Sequence, residues 1–219
     1  MNLQEYILNE IHELSTSSSL KAAQELFSGF PITHIPIVEN GHLLGCISES
    51  DAQTIEDNSA AISEYSHLID FFFADEKTTI LELITLFADH DCNMMPVLNK
   101  EREYVGYFEL SDILDVFANS PFLHGDGVEI IVEKPQKEFA ASEVTQIVES
   151  NNGKILGLYI SNQTSDFTQA TVKVSSEDIN EIIQTFRRYD YNIISQYEDD
   201  FYLQDLKDRS DYLQKYLDM

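Results

Sequence analysis

Hydrophobic positions divide the chain into short alternating elements. Leu3, Ile7, Leu8, Ile11 and Leu14 carry the spacing of one helix face, so the pattern predicts a helix over residues 1–14. The polar run Ser15–Ser19 supplies N-caps for a second helix, whose apolar side is Leu20, Ala23, Leu26 and Phe27, and which ends near Gly29, ahead of Pro31. A strand at 35–38, an Asn40-Gly41 turn suited to positive φ, and a strand at 43–48 follow. Residues 56–67 are polar and rich in Ala and Ser, the expected link to a second round of the same order. Phe71-Phe72-Phe73 reads as a strand or linker anchor. A helix over 80–90 has Ile80, Leu83, Ile84 and Phe87 as its buried stripe. Strands at 95–98 and 104–108 and a helix from Ser111 to about Ala118 complete the round.

The two rounds share landmarks. Ile35-Pro36-Ile37-Val38 is echoed by Met95-Pro96-Val97-Leu98, and Gly45-Cys46-Ile47-Ser48-Glu49-Ser50-Asp51 by Gly106-Tyr107-Phe108-Glu109-Leu110-Ser111-Asp112. The prolines lie 60 positions apart and the aspartates 61, which marks a duplicated unit. These residues resemble the cystathionine-β-synthase (CBS) domain, through its apolar-Pro-apolar-apolar strand and its Gly-h-h-Ser/Thr-x-x-Asp pattern, where h is apolar. The resemblance implies a tandem pair over residues 1–122, with repeats at about 1–62 and 63–122, packed sheet to sheet.

After Pro121 the character changes, and His124-Gly125-Asp126-Gly127 makes a boundary. A strand at 128–132, a helix at 139–150 stopped by Asn151-Asn152-Gly153, strands at 155–161 and 167–174, a helix capped at Ser175–Asp178 and a strand at 191–197 follow. The order β-α-β-β-α-β predicts an antiparallel, ferredoxin-like sheet with helices on one side. The expected fold class is therefore α+β, a tandem CBS pair plus a C-terminal ferredoxin-like domain at 127–198. In size, order and position that domain resembles the ACT domain, a regulatory module that often binds amino acids. The glycine common in that family after the first strand is missing from residues 133–138, so assembly rather than amino-acid sensing is expected. Residues 199–219 predict a C-terminal helix, with Leu203, Leu206, Leu213, Tyr216 and Leu217 at near-heptad spacing.

Charge narrows the partners. Among 219 residues, 39 are acidic and 13 basic, a formal net charge of −26. That field repels nucleic acid and anionic membrane surfaces, and no apolar run is long enough to span a bilayer. With no basic region at Met1–Glu5, the expected location is cytoplasmic. Cys46 and Cys92 lie in or beside apolar strands and read as buried thiols.

Catalytic signals are sparse. His90-Asp91-Cys92 are neighbours in sequence, whereas a catalytic triad converges from distant segments; His34 reads as a polar edge residue. The C-terminal aspartates fit no calcium loop, and there is no phosphate-loop or dinucleotide motif. No enzyme, metal site or resident cofactor is expected. The candidate chemistry lies in the clefts that the CBS resemblance implies, where adenosine nucleotides commonly bind. The resemblance gives Ser48 a phosphate or ribose to donate to, Asp51 the ribose hydroxyls, and Thr33, Ile35 and Pro36 the adenine wall. Asp112 marks the second cleft, where Glu109 stands in place of the hydroxyl. The expected ligand is AMP or adenosine, held by a homodimeric regulatory module. The alternative is a ligand-free interaction or dimerisation scaffold in which Asp51 serves only the helix dipole.

Overall fold

The computed structural model describes residues 3–195. The chain forms two compact units, Met1–Asn119 and Ser120–Met219. The first unit contains α1 (Leu20–Gly29), β1 (His34–Glu39), β2 (His42–Ser48), α2 (Glu49–Thr54), β3 (Ile69–Asp70), β4 (Ala74–Asp75), α3 (Ile80–Asp89), β5 (Met94–Leu98), β6 (Tyr104–Glu109) and α4 (Leu110–Ala118). The second contains α5 (Pro121–His124), β7 (Val128–Pro135), α6 (Ala141–Ser150), β8 (Lys154–Gln163), β9 (Phe167–Ser175), α7 (Ile179–Arg188) and β10 (Asn192–Ile193).

Local chemistry sets the element ends. Ser19 Oγ accepts from Ala22 N to open α1, and Thr79 with Glu82 forms a reciprocal capping box on α3. Asn40 and Gly41, at φ of 51° and 80°, make the left-handed turn between β1 and β2. Buried Leu20, Ala23 and Phe27 follow the predicted stripe of α1, as Leu83 and Phe87 do on α3.

The expected first helix is absent. Only Leu3–Tyr6 turn, as a 3₁₀ helix, and residues 7–14 carry single bridges at Leu8 and Leu14 with a bend at Ile11 between them. Leu8 exchanges two backbone hydrogen bonds with Tyr107 on β6, at 2.8 and 2.9 Å, and Leu14 pairs in parallel with β1 through Pro36 and Val38. Apolar residues at these positions satisfy a helix face and an arm between two sheets equally well. Tertiary pairing decides between them.

The link after the first repeat does the same one period later. Ile69 and Asp70 pair antiparallel with β2 at Ile47 and Cys46, and Ala74 and Asp75 pair in parallel with β5. The cores interlock accordingly. The core beneath α1, with Ile35, Ile37 and Ile47, takes in Met94 and Tyr107 from the second repeat. The core beneath α3 takes in Leu3 and Cys46 from the first. Fully burying one such side chain contributes about 1.5–3 kcal/mol.

In the second unit the strand order is β10-β7-β9-β8, antiparallel throughout, which is the ferredoxin-like arrangement. Ile130, Val132, Ala170, Val172 and Val174 alternate onto one sheet face and share a core with Val144, Ile147 and Val148 of α6 and Ile182, Ile183 and Phe186 of α7. Lys134 enters the same alternation but is a cation. It is accommodated by Glu143, 2.9 Å away, and by the Tyr191 ring, 4.6 Å from its ammonium. Asn152 takes the left-handed conformation (φ 59°) after α6. The final strand is only two residues long within the described region, shorter than the 191–197 expected. The expected helix at 199–219 lies outside the described residues.

The motif glycines explain themselves. Gly45, at φ 141°, faces the borrowed strand so closely that a Cβ would lie 2.6 Å from Asp70 O and from Ile69 Cγ2; Gly106, at φ 143°, faces Leu8 O in the same manner. Gly45→Ala is expected to destabilise the first unit by about 2–4 kcal/mol, through backbone strain and the clash with β3. Urea denaturation checks this, and a loss below about 0.5 kcal/mol would mean that β3 can step aside at no cost.

Candidate functional site

Both motifs sit where a strand ends and a helix begins. Ser48 closes β2 in extended conformation and caps α2: its Oγ accepts from Asp51 N at 3.0 Å and donates to Asp51 Oδ2 at 2.6 Å. The predicted pair Ser48 and Asp51 is thus brought together, and both remain partly exposed. Thr33 stands beside them, as its carbonyl accepts from Glu49 N at 2.8 Å. Ile35 and Pro36 do not line a surface. Both are buried, and Ile35 belongs to the first core. In the second repeat Glu109 caps α4 with no side-chain hydrogen bond to the helix, and Asp112 lies in the first turn.

The hydroxyl of Thr33 has a structural partner. Its Oγ1 donates to Asn93 Oδ1 (3.1 Å) and accepts from Asn93 N (3.0 Å), while Thr33 N also reaches Asn93 Oδ1 (2.9 Å). Asn93 Nδ2 donates to Pro31 O at 2.7 Å. Thr33 and Asn93 occupy matching positions 60 residues apart, so this clasp lies between the repeats. The motif does not include Asn93. Its place one period after Thr33 was the available signal.

The structure also draws in residues the motif omits. His34 is the cross-strand partner of Ser48, and its Nδ1 lies 2.9 Å from Thr33 Oγ1. Its ring meets the edge of Phe72 at 5.4 Å, and Phe72 stacks on His90 at 4.3 Å. Burial lowers the His34 pKa below its ordinary value of 6.5 and outweighs the opposing pull of Asp70, Asp51 and Asp91, while His90 adds to the lowering. Three carboxylates, Asp70, Asp51 and Asp91, therefore lie around His34, while burial favours its neutral form. Cys46 and Cys92 are both free and buried; burial pushes both thiols up, Cys92 to about 12. Among the described residues no group of three or more His, Cys, Asp or Glu is placed to hold a metal ion, and no helix is long and apolar enough to cross a membrane.

Two basic residues of this unit have partners of their own. Lys21 pairs with Glu25 at 3.7 Å, and the Arg102 guanidinium lies 4.4 Å from the Phe73 ring centroid. Lys77 borders a cavity shared with Phe73 and Leu81. A separate cavity of about 390 Å³ opens at the second motif, bordered by Ile32, Asn93, Glu109, Leu110, Ser111 and Leu114.

Two β-α units thus exchange edge strands, and each presents a Ser/Glu-x-x-Asp turn. The family model of the CBS domain matches residues 4–54 and again 62–119. The chain belongs to the CBS-domain family, and its first unit is a tandem CBS pair. No curated protein matches the sequence. Among solved structures, it is similar to a CBS domain pair/ACT domain protein of Thermotoga maritima, at 18% identity and TM-score 0.48 over 53% of this chain and 96% of that one. It is also similar to CBSX2 in complex with AMP (14%, TM-score 0.46, 53% and 95%). A third is the CBS domains of a transcriptional regulator from Streptococcus pneumoniae (16%, TM-score 0.46, 52% and 98%). Pairs of this family are typically regulatory rather than catalytic.

Because folding lowers the His34 pKa, the unfolded chain binds this proton more readily. The contribution of the neutral imidazole is complete above pH 6.5 and is lost as pH falls towards the lowered value. Denaturant midpoints measured at about pH 7.5 and 5.5 should therefore drop on acidification, and His34→Gln should make that drop smaller. Equal drops in both proteins would show that the fold does not resist protonation of His34.

Proposed function

We propose that the CBS pair is a sensor that takes an adenosine nucleotide in its first cleft and signals through altered packing of the repeats. The observation that carries this reading is the convergence of Ser48 and Asp51 at the opening of α2, beside the Thr33–Asn93 clasp between the repeats. CBS pairs commonly act as regulatory nucleotide-binding modules. Asp51 would accept from ribose hydroxyls and Ser48 would donate to ribose or phosphate, at the cost of their mutual 2.6 Å bond. A ligand that reorients Ser48 acts next to His34, whose imidazole touches the clasp through Thr33.

The ligand in this reading carries few charges, AMP or adenosine ahead of ATP. Each added phosphate meets Asp51, Asp70 and Asp91 around His34, while Lys21 and Arg102 are occupied elsewhere. Asp51→Ala should weaken AMP binding roughly 10- to 100-fold by removing charge-assisted hydrogen bonds, whereas Asp112→Ala should change it less than about twofold. Calorimetric titration of AMP, adenosine and Mg²⁺-free ATP against wild type and both variants tests this. Tighter ATP binding, or equal loss in the two variants, would overturn it.

A second reading has its own support. Ser48 and Asp51 satisfy each other as a helix cap and need no ligand to explain them, as in a scaffold for protein partners. Absence of binding by every nucleotide in the same titration favours this scaffold. We read the second unit as ACT-like and serving assembly, since its loop at 133–138 has no glycine to bring backbone amides to a carboxylate. On either reading the protein is expected to be a homodimer. Sedimentation at micromolar concentration should show twice the 25.1 kDa chain mass, and a strict monomer would exclude it.

A further inference from the structure

In the second unit α6 and α7 cover one face of the sheet, and the other face carries an apolar row. By strand register Ile131 of β7 lies beside Thr171 of β9, which lies beside Tyr159 of β8. Ile194, just past β10, donates its N–H to Ile131 O at 2.8 Å. These residues alternate with core residues such as Val132, Leu158, Val172 and Ile193, so they line up across all four strands on the side away from α6 and α7. Thr171 is buried, but Tyr159 is 49% and Ile194 43% exposed. Phe122 of α5 sits over Gly157, where a Cβ would overlap its ring, and meets the Tyr159 ring edge-on at 5.8 Å. Leu123 beside it is 44% exposed and extends the apolar surface.

Carboxylates flank this row. Along β7 the outward residues read Glu129, Ile131, Glu133. Glu129 is exposed and makes no ion pair among the described residues, and Glu133 accepts from Gln169 Nε2 at 2.7 Å and Asn192 Nδ2 at 3.5 Å. Lys173, opposite Glu129, donates instead to Leu123 O at 2.8 Å. An exposed apolar surface rimmed by polar groups has the anatomy of a docking face. The described chain leaves this face at its edge, at Ser195, and residues 196–219 follow in the sequence. Their apolar stripe, Leu203, Leu206, Leu213 and Leu217, has complementary flanks. At about 3.6 residues per helical turn, Lys207 and Arg209 fall on either side of the stripe and Asp208 opposite it.

We propose that residues 199–219 close this face of their own chain as an amphipathic helix. The leucine stripe lies along the Ile194–Ile131–Tyr159 row, and Lys207 and Arg209 meet Glu129 and Glu133. The dimensions agree. The outer strands of a four-stranded sheet lie about 15 Å apart, and a helix rises about 15 Å between residues 203 and 213. The eight residues from Ser195 to Leu203 reach up to about 26 Å, enough to start the helix at either end of the row. A partner for this face then has to displace the segment, which acts as an intramolecular competitor for it. The proposal is independent of any ligand of the first unit, because it rests on the second unit alone.

The chain contains no tryptophan, so Leu213→Trp places a single fluorescent reporter on the stripe. In the full chain its emission should be shifted to the blue and shielded from acrylamide, relative to a peptide of residues 196–219 carrying the same change. Tyr159→Asp and, at the other end of the row, Ile194→Asp should each abolish the shielding. Tyr189→Asp, at a similarly exposed position (48%) just after α7, should leave it intact. Circular dichroism and thermal midpoints report that each variant is folded. Adding excess wild-type chain, which is silent in this emission, to the Leu213→Trp/Tyr159→Asp variant should not restore shielding. A reporter as open as in the peptide, shielding that survives both face variants, or equal loss in Tyr189→Asp would each overturn the assignment. Shielding restored by wild-type chain would also overturn it, by giving the face to a second copy.

Discussion

Edge-strand exchange is the constraint on which the first unit depends. Two-stranded hairpins such as β1–β2 and β5–β6 are marginal in isolation, with exposed edges and half a core each. The chain resolves this by sending the segment ahead of each repeat across to the other. Leu8 completes β6, and Ile69 with Asp70 completes β2. The glycines of the repeated motif follow from that exchange, since a side chain at 45 or 106 would occupy the volume of the crossing backbone. A residue pattern that looks like part of a binding signature is therefore partly a packing requirement.

The same duplication explains how two strand-to-helix turns on one scaffold can differ. Their geometry is set by the repeated strand-to-helix turn, and their chemistry by single residues within it. Ser48 against Glu109 replaces a hydroxyl that caps its own helix with a carboxylate that makes no capping bond and accepts only at long range from Ser111. Thr33 against Asn93 turns what would be a symmetric contact into a directional clasp, in which one residue supplies the amide and the other the hydroxyl. His34 against Met94 gives the first turn a titratable neighbour, whereas the second repeat places a fully buried methionine there.

Much of this was legible in the sequence. The period of about 60, the strand and helix order of both repeats, and the ferredoxin-like order of the second unit could be read because they depend on local patterning and turn residues. The N-terminal arm could not. Leu3, Ile7, Leu8, Ile11 and Leu14 fit a helix, and only the distant edge at Tyr107 makes the extended form better. The motif marks Ser48 and Asp51, which the fold brings together, and implies a ligand wall at Ile35 and Pro36, whereas β1 is buried on both faces along its middle and takes both residues inside. His34, Phe72 and His90 were legible only as separate residues, because their stack forms across segments that meet through tertiary packing.

The exchanged arm also has a consequence for how the protein is made. Leu8 emerges from the ribosome early, yet its backbone partner Tyr107 is nearly 100 residues behind it, so the first repeat cannot complete its own core when its last residue appears. Until β6 is synthesised, Tyr107 is missing from the core around Ile35 and Ile47, and the arm has no edge to join. The core of the first repeat is therefore completed only once residue 107 is available. Docking the arm carries the chain-entropy cost of closing that long loop, a cost that grows only slowly with its length.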